Sequence, residues 1–300
     1  MKFILLGTRG SRPIFTPERV KYGGNTTSYK IVVDGMCPIY IDGGTGIYRE
    51  GVNIVNAGTS KFRAHFLITH THWDHILGFP FFRPLYMPDT KISIMGPRSE
   101  KYTIEALFEH QHARGLIPIP FMRIRHRIAF RELYSDEAFP LDRVFVKTFR
   151  LNHQGLTLGY RISDGSKNIC VITDNAPIEN NHLSVTMKDW KKEDFPSLEK
   201  EFINGLTGFM QDADLVFYDT HFTAESIKGK ENWGHSYPEY AADMAAAARV
   251  KRLIIGHHAP EDTDSDVDSK VSRVRDYLKQ QYPGTAMEIH ALEEGTAVCL

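Results

Sequence analysis

The chain has 300 residues, with 36 basic and 37 acidic side chains and a formal net charge of −1. A balance that close to zero argues against a protein that holds long nucleic acid through a global positive field, and the ordinary apolar content suits one layered globular domain over residues 1–300. Three widely spaced cysteines, Cys37, Cys170 and Cys299, give no disulfide framework. The apolar run at residues 3–6 is too short for a signal peptide or a membrane span, so a reducing cytoplasm without membrane association is expected.

The first predicted strand, residues 3–6, ends in Gly7-Thr8-Arg9-Gly10-Ser11, a turn-rich loop able to bring backbone N–H groups to an anion. A second small-polar loop, Tyr22-Gly23-Gly24-Asn25-Thr26-Thr27, precedes a strand at 29–33. A third strand, 38–41, runs into Asp42-Gly43-Gly44-Thr45-Gly46, and residues 47–57 read as helix. The strand at 62–69 delivers Thr69-His70-Thr71-His72-Trp73-Asp74-His75. Alternation puts His70 and His72 on one side of an extended segment, and Asp74 and His75 follow where the chain turns. Imidazole nitrogen and carboxylate oxygen are ligands of borderline divalent metals, so this stretch is read as a metal site.

Residues 79–87 form a Pro- and Phe-rich loop, 91–95 a strand and 99–110 a helix. Arg114, Arg123, Arg125, Arg127 and Arg131 follow, with no acidic residue until Glu132. The alternation of Arg123, Arg125 and Arg127 with Ile124, His126 and Ile128 predicts a half-buried strand with one charged face, either simply solvated or a basic rim for phosphate-bearing ligands. In the second half, predicted strands end repeatedly in metal-binding residue types: 144–151 leads to Asn152-His153, 168–173 to Asp174, 215–218 to Asp219-Thr220-His221, and 252–255 to Gly256-His257-His258. Such strand-end loops gather at one edge of a sheet. The chain is thus read as two similar halves, with a surface helical insert near 185–210. Ser236, Pro238 and Glu239 form an expected capping box for a helix reaching Ala248, and His235 stands at that helix's positive end. The acidic run at 261–266 reads as a solvated loop and N-cap for a helix at 267–281. Strands at 287–291 and 296–300 close the chain.

The His-x-His-x-Asp-His run and the order of the later strand-end residues resemble the metallo-β-lactamase superfamily, more narrowly its branch of ribonuclease Z and related phosphodiesterases. The resemblance covers almost the whole chain. It implies a four-layer αββα sandwich of the α/β class with two divalent ions at one sheet edge, zinc by preference and manganese as the alternative. By this resemblance His70, His72 and His153 bind one ion, Asp74, His75 and His257 the other, and Asp174 bridges them, while Asp42 supports the site from behind. His258 follows His257, so which of the pair ligates is open; order favours His257. Asp219-Thr220-His221-Phe222 and Gly234-His235-Ser236 stand where ribonuclease Z has a Glu-containing motif and a histidine that meets the scissile phosphate. Asp74, His235 and Asp219 are therefore the expected catalytic residues. His72 stands where diiron redox members carry Glu, which argues against redox chemistry. No long Gly-rich arm for transfer RNA is evident between His75 and His153. The expected activity is hydrolysis of a small or cyclic nucleotide phosphodiester. The alternatives are a ribonuclease Z-type RNA endonuclease and a non-catalytic, metal-stabilised interaction protein. RNA as a partner and a homodimer are left open.

Overall fold

A computed structural model describes residues 1–99, 101–113, 116–180 and 195–300. The first sheet contains β1 (Lys2–Gly7), β2 (Ser28–Val32), β3 (Ile39–Ile41), β4 (Lys61–Leu67), β5 (Asp89–Pro97) and β6 (Ile128–Leu133). The second contains β7 (Ala138–Leu141), β8 (Val144–Arg150), β9 (Leu158–Ser163), β10 (Asn168–Ile172), β11 (Leu215–Asp219), β12 (Arg252–Gly256) and β13 (Glu288–His290). A last strand, β14 (Ala297–Cys299), returns to the first sheet beside β1, giving the orders β14-β1-β2-β3-β4-β5-β6 and β13-β12-β11-β10-β9-β8-β7. In each sheet one side is antiparallel and the other parallel, with β3 to β6 and β10 to β13 as the parallel runs.

The two sheets face each other across Phe3, Tyr29, Ile31 and Leu67 on one side and Val146, Tyr160, Val171 and Phe217 on the other. Outside the first sheet lie α1 (Ile47–Asn56), the single turn α2 (Trp73–Ile76) and α3 (Ile104–Gln111), which cover an aromatic core around Phe66, Phe79, Phe82 and Phe108. Outside the second lie α4 (Phe195–Met210), α5 (Pro238–Ala247) and α6 (Asp264–Gln281), over Leu206, Met210, Tyr218, Ala241 and Val274. This is the expected αββα order of layers. Strands β10, β11 and β12 are almost wholly buried and almost wholly apolar, as parallel strands covered on both faces must be.

Two local expectations are corrected. The arginine segment is not a strand before Ile128: Phe121–Arg123 and Arg125–Arg127 are single 3₁₀ turns. Arg125 pairs with Glu105 of α3, Arg127 donates to the Leu85 and Arg123 carbonyls, and Arg131 pairs with Glu137 at 3.0 Å. These partners fold the segment back on its neighbours and neutralise Arg125 and Arg131, while Arg127 is held by backbone carbonyls; Arg114 lies outside the described residues. The Ser236 capping box does not form. With Pro238 at the first helical position, Tyr237 is the N-cap and has no side-chain cap bond, and Ser236 sits one residue too early. The box forms instead at α6, between Thr263 and Asp266, while Asp264 accepts the N–H groups of Lys21 and Tyr22. Of the insert expected near 185–210, residues 195–210 are α4, whose Phe202, Leu206 and Met210 are buried; the rest lies outside the described residues.

Candidate metal centre

The parallel strands all deliver their carboxyl ends to one edge. There β3 leads to Asp42, β4 to residues 69–75, β10 to Asp174, β11 to Asp219 and β12 to His257. Three of these residues reverse the chain in left-handed backbone, Asp42 at φ 59°, Asp174 at φ 45° and His257 at φ 56°. Such conformations cost side-chain-bearing residues about 1–3 kcal/mol each. Asp and His are among the residue types that adopt them most often. The two sheets are tied directly beneath the site: Tyr160 Oη donates to the Ile68 carbonyl at 2.6 Å, and Leu158 N donates to Thr69 O at 2.9 Å.

Two donor sets result, Asp74, His75, Asp174 and His257 in one, and His70, His72, His153 and Asp174 in the other. In the first, the Nε2 atoms of His75 and His257 each lie 3.2 Å from Asp174 Oδ1, and 3.3 and 3.4 Å from Asp74 Oδ2. In the second, His153 Nε2 lies 3.2 Å from His72 Nδ1. His70 Nε2 and His153 Nε2 are 3.6 and 3.7 Å from Asp174 Oδ2. Ligands held about 2.0–2.2 Å from a tetrahedral ion stand roughly 3.3–3.6 Å from one another, so both sets fit a divalent metal. Asp174 offers one oxygen to each.

The polar bookkeeping agrees. His70 Nε2, His75 Nε2, His257 Nε2 and Asp174 Oδ1 are buried without a hydrogen-bond partner among the described residues, a costly condition that a bound cation relieves. Burial pushes His70 well below its usual range and His153 down to about 3, so both present neutral lone pairs. Burial also opposes charge on His75 and His257, yet the carboxylates around them prevail. Asp174, Asp74 and Asp42 raise His75 well above its usual value, and Asp174, Asp219 and Asp74 raise His257 to about 10. That end of the site demands positive charge.

Groups behind the donors fix their orientation. Asp42 Oδ2 faces His75 Nδ1 at 2.8 Å, and its Oδ1 accepts Thr69 N–H at 2.7 Å. His153 Nδ1 faces the Gly234 carbonyl at 2.9 Å. The Gly7-to-Ser11 loop is part of the site: Ser11 N–H donates to Asp74 Oδ2 at 2.7 Å, and a Cβ on Gly10 would meet His257 Cε1 at 2.4 Å. Asn25, in contrast, holds Glu294. His258 turns away from the donors to pack edge-on against Tyr22. His235 stacks on His221 with ring centroids 4.4 Å apart, and its Nδ1 lies 3.1 Å from Asp219 Oδ2. Asp219 also accepts N–H bonds from Asn175, His221 and Ser236. Burial opposes its ionisation, but His235 and His257 hold its pKa below the usual carboxylate range.

Beside His70 and His72 opens a cavity of about 590 Å³, also lined by Arg98, Lys101, Tyr102 and Arg150. These cations were not anticipated from the sequence. Lys101 stands in a stretch read as helix, which begins only at Ile104, and Arg98 just before that stretch; for Arg150 the signal was its position just before Asn152-His153.

A family model described as the β-lactamase superfamily domain matches residues 60–191. The metallo-β-lactamase fold protein YhfI from Bacillus subtilis superposes with a TM-score of 0.65 at 14% identity, over 99% of both chains. The chain has the metallo-β-lactamase fold. In sequence it is similar to ribonuclease Z of Thermoplasma volcanium, with 26% identity over 94% of each chain. Another metallo-β-lactamase-fold match is yeast PDE1, with a TM-score of 0.65 and 16% identity over 100% of this chain and 99% of that one. The resemblance read from the histidine run is borne out.

Proposed function

We propose that the chain is a hydrolase with a dinuclear metal centre that cleaves a small or cyclic nucleotide phosphodiester. One observation carries this reading: two four-residue donor sets share Asp174 directly beside the His235–Asp219 pair. His70, His72 and His153 would hold one divalent ion, Asp74, His75 and His257 the other, and Asp174 both. The ions, zinc first and manganese as the alternative, would supply Lewis acidity, lowering the pKa of an attacking water and neutralising charge on the phosphoryl oxygens. Asp74, anchored by Ser11 N–H, orients the water and takes its proton. Asp219 accepts the His235 Nδ1–H and stabilises the imidazolium form, whose Nε2–H can donate to the phosphoryl group or pass its proton to the leaving oxygen, returning the ring to its neutral form. The water's O–H is lost as the new P–O bond forms, and the P–O bond to the leaving group breaks.

The cavity is of a size that encloses one small ligand, and Arg98, Lys101 and Arg150 on its wall provide cations for one or two phosphates. None of the arginines at 123–131 lines this cavity, and Arg125 and Arg131 are paired with Glu105 and Glu137. The similarity to ribonuclease Z supports the second reading, an RNA endonuclease. A panel of cyclic nucleotides, bis(p-nitrophenyl) phosphate and precursor transfer RNA, with added zinc or manganese, separates the two. Small phosphodiesters should be turned over at least as efficiently as precursor transfer RNA. Accurate cleavage of the RNA with cyclic nucleotides inert would move the assignment to the endonuclease, and no turnover by the fully metallated chain would favour a non-catalytic role. Sedimentation of the same preparation decides whether the chain forms a homodimer. No described helix is long and apolar enough to cross a membrane.

A further inference from the structure

A separate group of metal-ligand residue types lies at the opposite ends of β3 and β8 from the metal centre. Cys37 stands just before β3, His65 on β4 faces the layer between the sheets, and Asp142 occupies the tight β7–β8 turn in left-handed backbone at φ 51°. Cys37 Sγ is 3.3 Å from His65 Nε2 and 3.3 Å from Asp142 Oδ2, and the latter two atoms are 3.1 Å apart. The three atoms thus form a nearly equilateral triangle. Around a tetrahedral ion with about 2.3 Å to sulfur and 2.0–2.2 Å to nitrogen and oxygen, such edges measure roughly 3.3–3.6 Å, within about 0.3 Å of those present.

His65 Nδ1 is 2.5 Å from Ser93 Oγ. Without an ion, the Ser93 hydroxyl donates to Nδ1 while His65 Nε2–H and the Cys37 thiol both donate to Asp142 Oδ2, so two protons occupy the centre of the triangle. A cation at the centre would satisfy all three atoms at once. Ser93 would then do for His65 what Asp42 does for His75, holding the ring so that Nε2 points at the ion. Burial and the Asp142 carboxylate push the Cys37 thiol up to about 11, which speaks against a free nucleophile.

We propose that Cys37, His65 and Asp142 form a third, mononuclear transition-metal site, with three protein ligands and its fourth position open to water. The thiolate, imidazole and carboxylate suit Zn²⁺, and Co²⁺ as its spectroscopic substitute, rather than Mg²⁺ or Ca²⁺. Two ligands belong to the first sheet and one to the second, so the ion clasps the sandwich at the end remote from the metal centre. It exposes itself at the surface through Asp142, whose side chain is 43% accessible against 16% for His65.

Cobalt titration of the metal-free full-length chain reads this site alone, because neither donor set of the catalytic edge contains sulfur. As Co²⁺ is added until all three sites are filled, a thiolate-to-cobalt charge-transfer band should develop in the near ultraviolet with the intensity of one cobalt thiolate per chain. Cys37→Ser should abolish it, and His65→Ala should shift its midpoint to higher Co²⁺ concentration. Both variants should keep the metal of the catalytic edge and the parent's hydrolytic rate. Absence of the band in the parent overturns the proposal, as does a band lost in Cys299→Ser but kept in Cys37→Ser. A band indifferent to His65→Ala would mean thiolate binding without a built site and also overturns it. Should Cys37→Ser fail to fold, Asp142→Ala in the exposed turn carries the same test.

Discussion

Asp174 is buried, stands in left-handed backbone and gives one oxygen to each donor set, so its loss removes a ligand from both ions at once. Asp174→Ala should lower the metal content found by elemental analysis; a variant that kept the parent's content would show that Asp174 is no bridge. His235 behaves differently under this reading, since its Nδ1 is engaged by Asp219 rather than committed to an ion. His235→Ala should cut kcat by about 10²–10⁴-fold, the range for a positioned acid or oxyanion donor, with metal content unchanged. Loss of metal in that variant would make His235 structural. Away from the site, His112 is buried between Phe79 and Phe121. Burial lowers its pKa, although its bond to the Phe108 carbonyl works the other way. Because the folded value lies below the unfolded one of about 6.5, the unfolded chain takes up the proton first. The stability tied to neutral His112 is therefore present above pH 6.5 and lost as pH falls through the folded pKa. Urea unfolding of His112→Phe should show a shallower fall below pH 6.5 than the parent, by at most about 1.4 kcal/mol per pH unit; parallel profiles would remove His112 from the acid response.

Helix caps carry the clearest contrast between elements. Thr263 accepts the Asp266 N–H at 3.2 Å and Asp266 returns the bond, whereas Ser236 Oγ is buried without a partner among the described residues. Thr263→Ala should cost about 1 kcal/mol in thermal or urea melts, and Ser236→Ala less than about 0.5 kcal/mol; equal costs would mean that Ser236 does cap α5. The same contrast shows what could be read from the sequence. The run from His70 to His75 was legible because its spacing follows from strand geometry and a single turn, Asp174, Asp219 and His257 because each ends a strongly apolar strand, and His153 because it follows an alternating strand. The Ser236 box was misread because Pro238 shifts the helix frame by one residue. The arginine segment failed because Ile124 and Ile128 are buried by successive tight turns, and Glu105, distant in sequence, draws Arg125 back. Strand β9 escaped notice through Gly159 and Arg161, and β7 through Pro140, which an edge strand tolerates. The cationic cavity was hidden because three separate loops and strands assemble it.

At the level of the whole molecule, the donor atoms come from both sheets: residues 70–75 follow β4, while His153, Asp174 and His257 belong to the second sheet. Bound ions would bridge the sandwich, so removing them should lower stability by mass action, by about 2.7 kcal/mol for a site held at 100 times its Kd. A chelator should depress the melting temperature of the parent and depress that of Asp174→Ala much less; equal depression would place the stabilising ion elsewhere. The interleaving of the chain adds a constraint on birth order. Strand β14 completes the first sheet beside β1, and His257 reaches the site from β12. During synthesis at roughly 5–20 residues per second, the imidazoles at 70–75 leave the ribosome on the order of ten seconds before His257 does. Throughout that interval the imidazoles at 70–75 lack the complete donor set of the second sheet, so under the proposed reading both ions can be enclosed only when the last strands lock into place.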